Sequence, residues 1–96
     1  MSQIKENHTV SAKLIGGDEA GIICELMEEL FDDVVVTDMG SYMSIETQNP
    51  ELVFDVAEIT EAMGSPYSVS RFLAVLATYK GFIEVNDDNV IIRDEG

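Results

Sequence analysis

Turn and helix-breaking residues recur at short intervals along this chain, and they limit the length of every element. The breaks fall at Gly16-Gly17, Gly40-Ser41, Asn49-Pro50, Gly64 and Gly81. Glycine and proline at such positions end helices and strands, so the 96 residues are divided into short apolar segments. No segment approaches the roughly 20 apolar residues needed to cross a bilayer. The sequence therefore predicts one small domain built from short strands and helices.

The first half of the chain predicts a β-α-β-β unit. Apolar and polar residues alternate over residues 10–14, as in a strand that is buried on one face. Asp18 is the expected N-cap of an amphipathic helix that ends near Leu30 and has one apolar and one acidic face. Residues 34–47 then predict a hairpin, because β-branched and apolar segments flank a turn.

The second half predicts a β-α-α-β-β unit. A strand at residues 52–54 leads to a short helix that Asp55 caps and Gly64 ends. Ser68 caps a second helix, which is predicted to run to about Lys80. Two apolar segments around an Asn/Asp turn close the chain as a hairpin. The predicted fold class is therefore α+β, with antiparallel sheets and helices in a single compact domain.

The charge of the chain excludes several classes of partner. Five basic residues against 19 acidic residues give a net charge of −14 at pH 7. This sign is wrong for holding nucleic acid by its phosphates and for docking on anionic lipid. We therefore expect neither nucleic acid nor a membrane as partner. We expect a soluble protein whose partner carries basic patches.

The N-terminal residues and the single cysteine indicate the compartment. Residues 1–8 are polar and unpatterned, so they predict a flexible N-terminal tail and not a secretory signal. Cys24 alone cannot form an internal disulfide, and it excludes zinc ribbons and CxxC redox chemistry within one chain. We therefore expect a cytoplasmic protein.

No combination of residues predicts catalysis. His8 is the only histidine and lies in the tail, and Cys24 is interpreted as a small core residue. The carboxylates of the first helix lack the histidines that accompany them in metal-binding helices. Gly16-Gly17 precedes a helix, but Asp18 follows at once and would repel a phosphate. The sequence assigns no catalytic, cofactor-binding or metal-binding residue.

Residues 51–93 resemble a winged helix-turn-helix, which would make the protein a transcriptional regulator. The second helix would then read DNA, and residues 82–92 would form the wing. A reading helix needs cationic or amide side chains, yet Ser68 to Tyr79 contains only Arg71. The wing tip, Asp87-Asp88, would also face the phosphates with negative charge. A generic acidic adaptor that binds some other enzyme is a further alternative.

A second resemblance covers nearly the whole chain. Its matching stretches are Leu14–Asp18, Val34–Val36, Gly40–Ile45, Glu51–Ser68 and the helix before Gly81. In this order they resemble the effector, or coupling, proteins of soluble bacterial multicomponent diiron monooxygenases. That family serves methane, alkene, propane, toluene and phenol hydroxylases. The short tail and Ser65, where many members have Arg, depart from the family pattern.

The resemblance implies a regulatory subunit that is not an enzyme and has no cofactor of its own. Residues 9–96 would form the effector domain, a β-α-β-β unit joined to a β-α-α-β-β unit. Its partner would be the diiron hydroxylase component, bound over the active-site face and working with a reductase or ferredoxin. The effector would regulate oxygen activation, substrate access and the coupling of electron transfer to the hydroxylation or epoxidation of aromatic or aliphatic hydrocarbons.

One face of the helix predicted from Ser68 is a candidate docking surface. At 100° per residue its other face, with Val69, Phe72, Leu73, Leu76 and Tyr79, should pack in the core. The side chains of the docking face are small and nearly uncharged, as they are at interface centres. Alternatively, the tail or hairpin of the chain itself covers this face. Tyr42 and Met43 flank it, but neighbouring strand residues point to opposite sides, so at most one should contribute. The candidate hydroxylase-docking residues are Tyr42, Met43, Ser70, Arg71, Ala74, Val75, Ala77, Thr78 and Tyr79.

Overall fold

Ten short elements follow one another in the computed structural model, which describes residues 9–94. They are β1 (Val10–Ile15), α1 (Asp18–Leu30), β2 (Val35–Asp38), β3 (Tyr42–Thr47), β4 (Glu51–Asp55), α2 (Val56–Met63), α3 (Val69–Val75), β5 (Leu76–Lys80), β6 (Phe82–Val85) and β7 (Asn89–Arg93). The predicted tail, residues 1–8, lies outside the described residues. The α+β class and the order of its two units are confirmed, and β5 is an additional strand.

The first sheet has the strand order β2-β3-β1-β5, and all of its neighbours are antiparallel. Val10, Ala12 and Leu14 of β1 are fully buried, as the alternation predicts, but Ser11 between them is also buried. Lys13 and Ile15 belong to the other face, which we call the outer face of this sheet. Helix α1 packs its buried Ile23 and Met27 into the core that the inner face helps to form.

The second sheet has the order β4-β7-β6 and shares one hydrophobic core with the first. Leu52 and Phe54 of β4, with Ile92 of β7, are almost completely buried. The ring of Phe54 lies 4.5 Å from that of Phe72 in α3, measured between centroids. This aromatic contact attaches α3 to the second sheet, since such pairs add about 0.5–1.5 kcal/mol to the free energy of burial.

The prediction of one helix from Ser68 to Lys80 is wrong. Helix α3 ends at Val75, and residues 76–80 form β5, which pairs with β1. The physical reason is tertiary, because without β5 the backbone groups on that edge of the central strand β1 would lack partners. Two residues predicted for the core, Leu73 and Tyr79, are consequently 37% and 42% exposed.

The helix caps were predicted correctly at two of three positions. Asp55 accepts hydrogen bonds from the backbone N–H groups of Ala57 and Glu58, and Ser68 caps α3 through the N–H of Arg71. Asp18 is not the cap of α1, because Gly17 occupies that position with φ of 148° and Asp18 is the first helical residue. In the first turn, the negative charge of Asp18 interacts favourably with the positive end of the helix dipole.

Gly81, between β5 and β6, is the glycine that the fold depends on most. Its φ is +127°, and a Cβ atom there would overlap the carbonyl oxygen of Arg93. We expect Gly81→Ala to lower the free energy of unfolding by about 2–4 kcal/mol, measured by urea denaturation. The control is Gly21→Ala inside α1, where nothing obstructs a Cβ and the change should stabilise by about 0.5–1 kcal/mol. Equal effects of the two variants would contradict this account of Gly81.

Candidate functional site

The described residues hold no arrangement suited to bond-making chemistry. Between residues 9 and 94, no three His, Cys, Asp or Glu side chains come together in a way that could hold a metal ion. Cys24 is 2% exposed, and burial raises the pKa of its thiol to about 11, with Glu28 and Asp38 adding to the effect. Such a thiol is unreactive at neutral pH, which agrees with its interpretation as a core residue. His8 lies outside the described residues.

A long stretch of sequence without acidic residues is the most distinctive feature of the second half. No Asp or Glu occurs from Ala62 to Ile83, although the chain contains 19. We call the exposed part of this stretch, formed by α3 and β5, the acid-free surface. Its members on α3 are Ser70, Arg71 and Ala74, which are exposed, and Val75, which is half-buried.

Strand β5 continues the acid-free surface along one edge of the first sheet. Ala77, Thr78 and Tyr79 are all exposed. Ala77 lies at an irregularity in the pairing, because Leu76 pairs with Leu14 whereas Thr78 pairs with Lys13. A bulge of this kind bends an edge strand and interrupts its ladder of hydrogen bonds. These three candidates therefore lie on a strand edge and do not share a helix face with the α3 candidates.

Tyr42 and Met43 point to opposite sides of β3, as predicted. Met43 is half-buried and packs against the core, whereas Tyr42 is 44% exposed. Tyr42 pairs with Ile15 and Thr78 pairs with Lys13, so both candidates lie on the outer face of the first sheet. Sequence reasoning missed Ile15, which is 50% exposed on this face, although the alternation of β1 already places it there.

Arg71 has structural contacts of its own, which the sequence did not reveal. Its Nη2 lies 3.3 Å from Oε1 of Glu19, at the start of α1, and its Nη1 donates to the carbonyl oxygen of Pro66. The guanidinium carbon lies 5.0 Å from the centre of the Tyr67 ring. Because its side chain is half exposed, the ion pair adds little stability. Through these contacts Arg71 joins the start of α1 and the segment before α3.

Below Arg71, two polar atoms are buried close together. Neither the Tyr67 hydroxyl nor Oε2 of Glu19 has a well-formed hydrogen bond. Burial raises the pKa of the Tyr67 hydroxyl far above its usual range, and the Glu19 carboxylate raises it further, while Arg71 acts in the opposite direction. Burial and the neighbouring Glu19 carboxylate therefore both favour the neutral phenol.

The winged helix-turn-helix alternative does not fit the fold. Helix α3 has only seven residues and leads directly into β5, which belongs to the first sheet. The supposed wing, β6 with β7, is paired to β4 as part of the second sheet. No described helix is long and apolar enough to cross a membrane.

The elements and sheets thus define a small domain of the α+β class. A family model matches residues 8–93, and the chain belongs to the MmoB/DmpM family. The resemblance seen in the sequence is therefore confirmed. A search of curated proteins gives no match.

Two solved structures share this fold. One is from the phenol hydroxylase–regulatory protein complex, with a TM-score of 0.78 and 19% identity over 88% of this chain and 97% of that one. The other is the soluble methane monooxygenase regulatory protein B, with a TM-score of 0.69 and 24% identity over 99% of this chain and 71% of that one. At these identities the likeness concerns the fold alone.

The buried Tyr67 hydroxyl predicts a loss of stability at high pH. Its folded pKa is raised above the unfolded value of about 10, so the stability it contributes is complete below pH 10. This contribution to stability falls as the pH rises further, because the Tyr67 hydroxyl then ionises readily only in the unfolded chain. We expect the urea midpoint to fall between about pH 10 and 12 in the wild type. Tyr67→Phe should flatten that fall, and an unchanged slope would contradict the prediction.

Proposed function

We propose that this protein is a non-catalytic effector of a diiron monooxygenase, and that it binds the hydroxylase component of that system. The observation that carries the proposal is the family match over residues 8–93. The fold shared with a regulatory protein from a phenol hydroxylase complex and with the methane monooxygenase regulatory protein supports the same partner. The effector works in the cytoplasm, where its hydroxylase and a reductase or ferredoxin are present.

The acid-free surface and the neighbouring outer face form the docking surface in this proposal. Depletion of charge with small or aromatic side chains is characteristic of interface centres. Ala74, Ala77 and Thr78 allow close approach of a partner backbone, and Tyr42 supplies an aromatic contact. The acidic remainder of the chain steers a partner whose rim is basic, because long-range attraction raises the rate of encounter.

The effector acts by shifting a population of hydroxylase conformations. A protein that binds one state more tightly favours that state by the difference in binding free energy. The favoured state would be one in which the diiron centre reacts with oxygen and substrate has access. This mode of action requires shape and surface chemistry from the effector, and it requires no reactive group on this chain.

The function is tested by reconstitution. Purified protein is added to a matched hydroxylase and its reductase, and product formed is measured against NADH consumed. We expect the rate and the ratio of product to NADH to rise, and to saturate at about one effector per hydroxylase active site. If neither quantity changes at any effector concentration, the proposal is wrong.

The docking surface is tested by placing a charge on it. Ala74→Glu should weaken hydroxylase binding about tenfold or more, because a carboxylate buried without a partner costs desolvation energy. The matched control is Ala57→Glu in the first turn of α2, an exposed alanine outside the surface. Binding is measured by titrating hydroxylase activity, and circular dichroism verifies the fold of both variants. Equal affinities of the two variants would remove Ala74 from the interface.

A further inference from the structure

A groove lies between α1 and α2, which are not the elements that form the acid-free surface. It is lined by Ile22, Glu25, Leu26 and Glu29 of α1 and by Ala62 of α2, and its volume is about 280 Å³. This is small for a drug-sized ligand, which usually occupies about 300–1,000 Å³. Its lining residues on α1, from Ile22 to Glu29, extend over about two turns of that helix.

The floor of the groove is an apolar stripe. Ile22 and Leu26, which line the groove, are half-buried, and the stripe continues beyond the groove to Leu30, which is 43% exposed. Residues spaced by four share one side of a helix, and the three span about 12 Å at 1.5 Å per residue. An amphipathic helix binds such a groove with apolar residues at matching intervals.

The walls of the groove carry only negative charge. Helices α1 and α2 contain no Lys, Arg or His, and their seven acids are Asp18, Glu19, Glu25, Glu28, Glu29, Glu58 and Glu61. Within the described chain, Glu25 and Glu29 form no ion pair.

These carboxylates oppose the stability of their own helix. Glu25 and Glu29 are one turn apart and repel each other. Glu28 and Glu29 lie in the last turn of α1, where no basic residue is present and the helix dipole disfavours negative charge. Local rules of stability are typically broken where a surface has another use.

We propose that this groove is a second docking surface, occupied by a cationic amphipathic helix of a protein partner. Its apolar residues would lie on Ile22, Leu26 and Leu30, and its Lys or Arg side chains would pair with Glu25 and Glu29. The proposal does not rest on the effector function, because it concerns binding by the chain alone.

Other occupants fit less well. Among residues 9–94, a second copy offers no suitable helix. Lys13, Lys80 and Arg93 lie on strands, and Arg71 already pairs with Glu19. Nucleic acid and anionic lipid have the same sign of charge as the groove. A cationic helix alone matches both the apolar floor and the acidic walls.

The probe is a synthetic peptide of Leu and Lys, patterned so that Leu recurs every three to four residues on one face. Binding is measured by fluorescence anisotropy, and the site by shifts of backbone amide resonances. A scrambled peptide of the same composition separates amphipathic pattern from charge. Glu25→Lys/Glu29→Lys tests the walls, and Leu30→Ser tests the end of the apolar stripe just beyond the groove. The control Glu46→Lys/Asp87→Lys makes the same change of net charge at exposed positions elsewhere.

We expect the amphipathic peptide to shift amides of α1 and α2 and to bind more tightly than the scrambled one. Glu25→Lys/Glu29→Lys should weaken binding roughly tenfold and the control pair by less than about twofold. Leu30→Ser should weaken binding by about threefold. Equal losses for the two double variants, equal binding of the two peptides, or shifts confined to other elements would each overturn the proposal.

Discussion

The central position of β1 is the constraint on which the rest of the structure depends. Its inner residues, such as Ala12 and Leu14, are completely buried, so its backbone must be hydrogen-bonded on both edges. β3 satisfies one edge and β5 satisfies the other. Because β5 is needed there, α3 must end at Val75, and the chain must pass from the second sheet into the first. This crossing brings the acid-free surface to an edge of the first sheet, beside its outer face.

Two surfaces of contrasting chemistry result from this arrangement. One is built from α3 and β5, which contribute Arg71 and Lys80 but no acid, and Glu19 of α1 meets it only at Arg71. The other is built from α1 and α2 and contains acids but no base. A protein with a single role in binding would need only one of them. The contrast favours two partners, or two parts of one partner, that differ in charge, because complementary charges direct encounter and suppress the wrong orientation.

Much of the fold follows from local signals in the sequence. The caps at Asp55 and Ser68 act within three residues, and the burial of Val10, Ala12 and Leu14 follows from alternation. β5 could not be predicted in this way, because the spacing of Phe72, Leu73 and Leu76 suits a helix. Its pairing with β1 joins residues 62 positions apart, Leu14 and Leu76. The contact of Arg71 with Glu19 could not be predicted either, because the two residues are 52 positions apart. The low charge of the candidate docking residues could therefore be read from the sequence, but their division between a helix and a strand edge could not.

An exposed strand edge beside an apolar patch invites association between identical chains. β5 has an unpaired edge among the described strands, and Ile15, Val35 and Tyr42 are exposed on the outer face. The bulge at Ala77 and the charge of Lys80 are both features that hinder strand addition. The net charge of −14 acts over a longer range, since two copies repel each other before their edges meet. The acidity that disfavours nucleic acid and lipid thus also opposes the pairing of two copies along this edge.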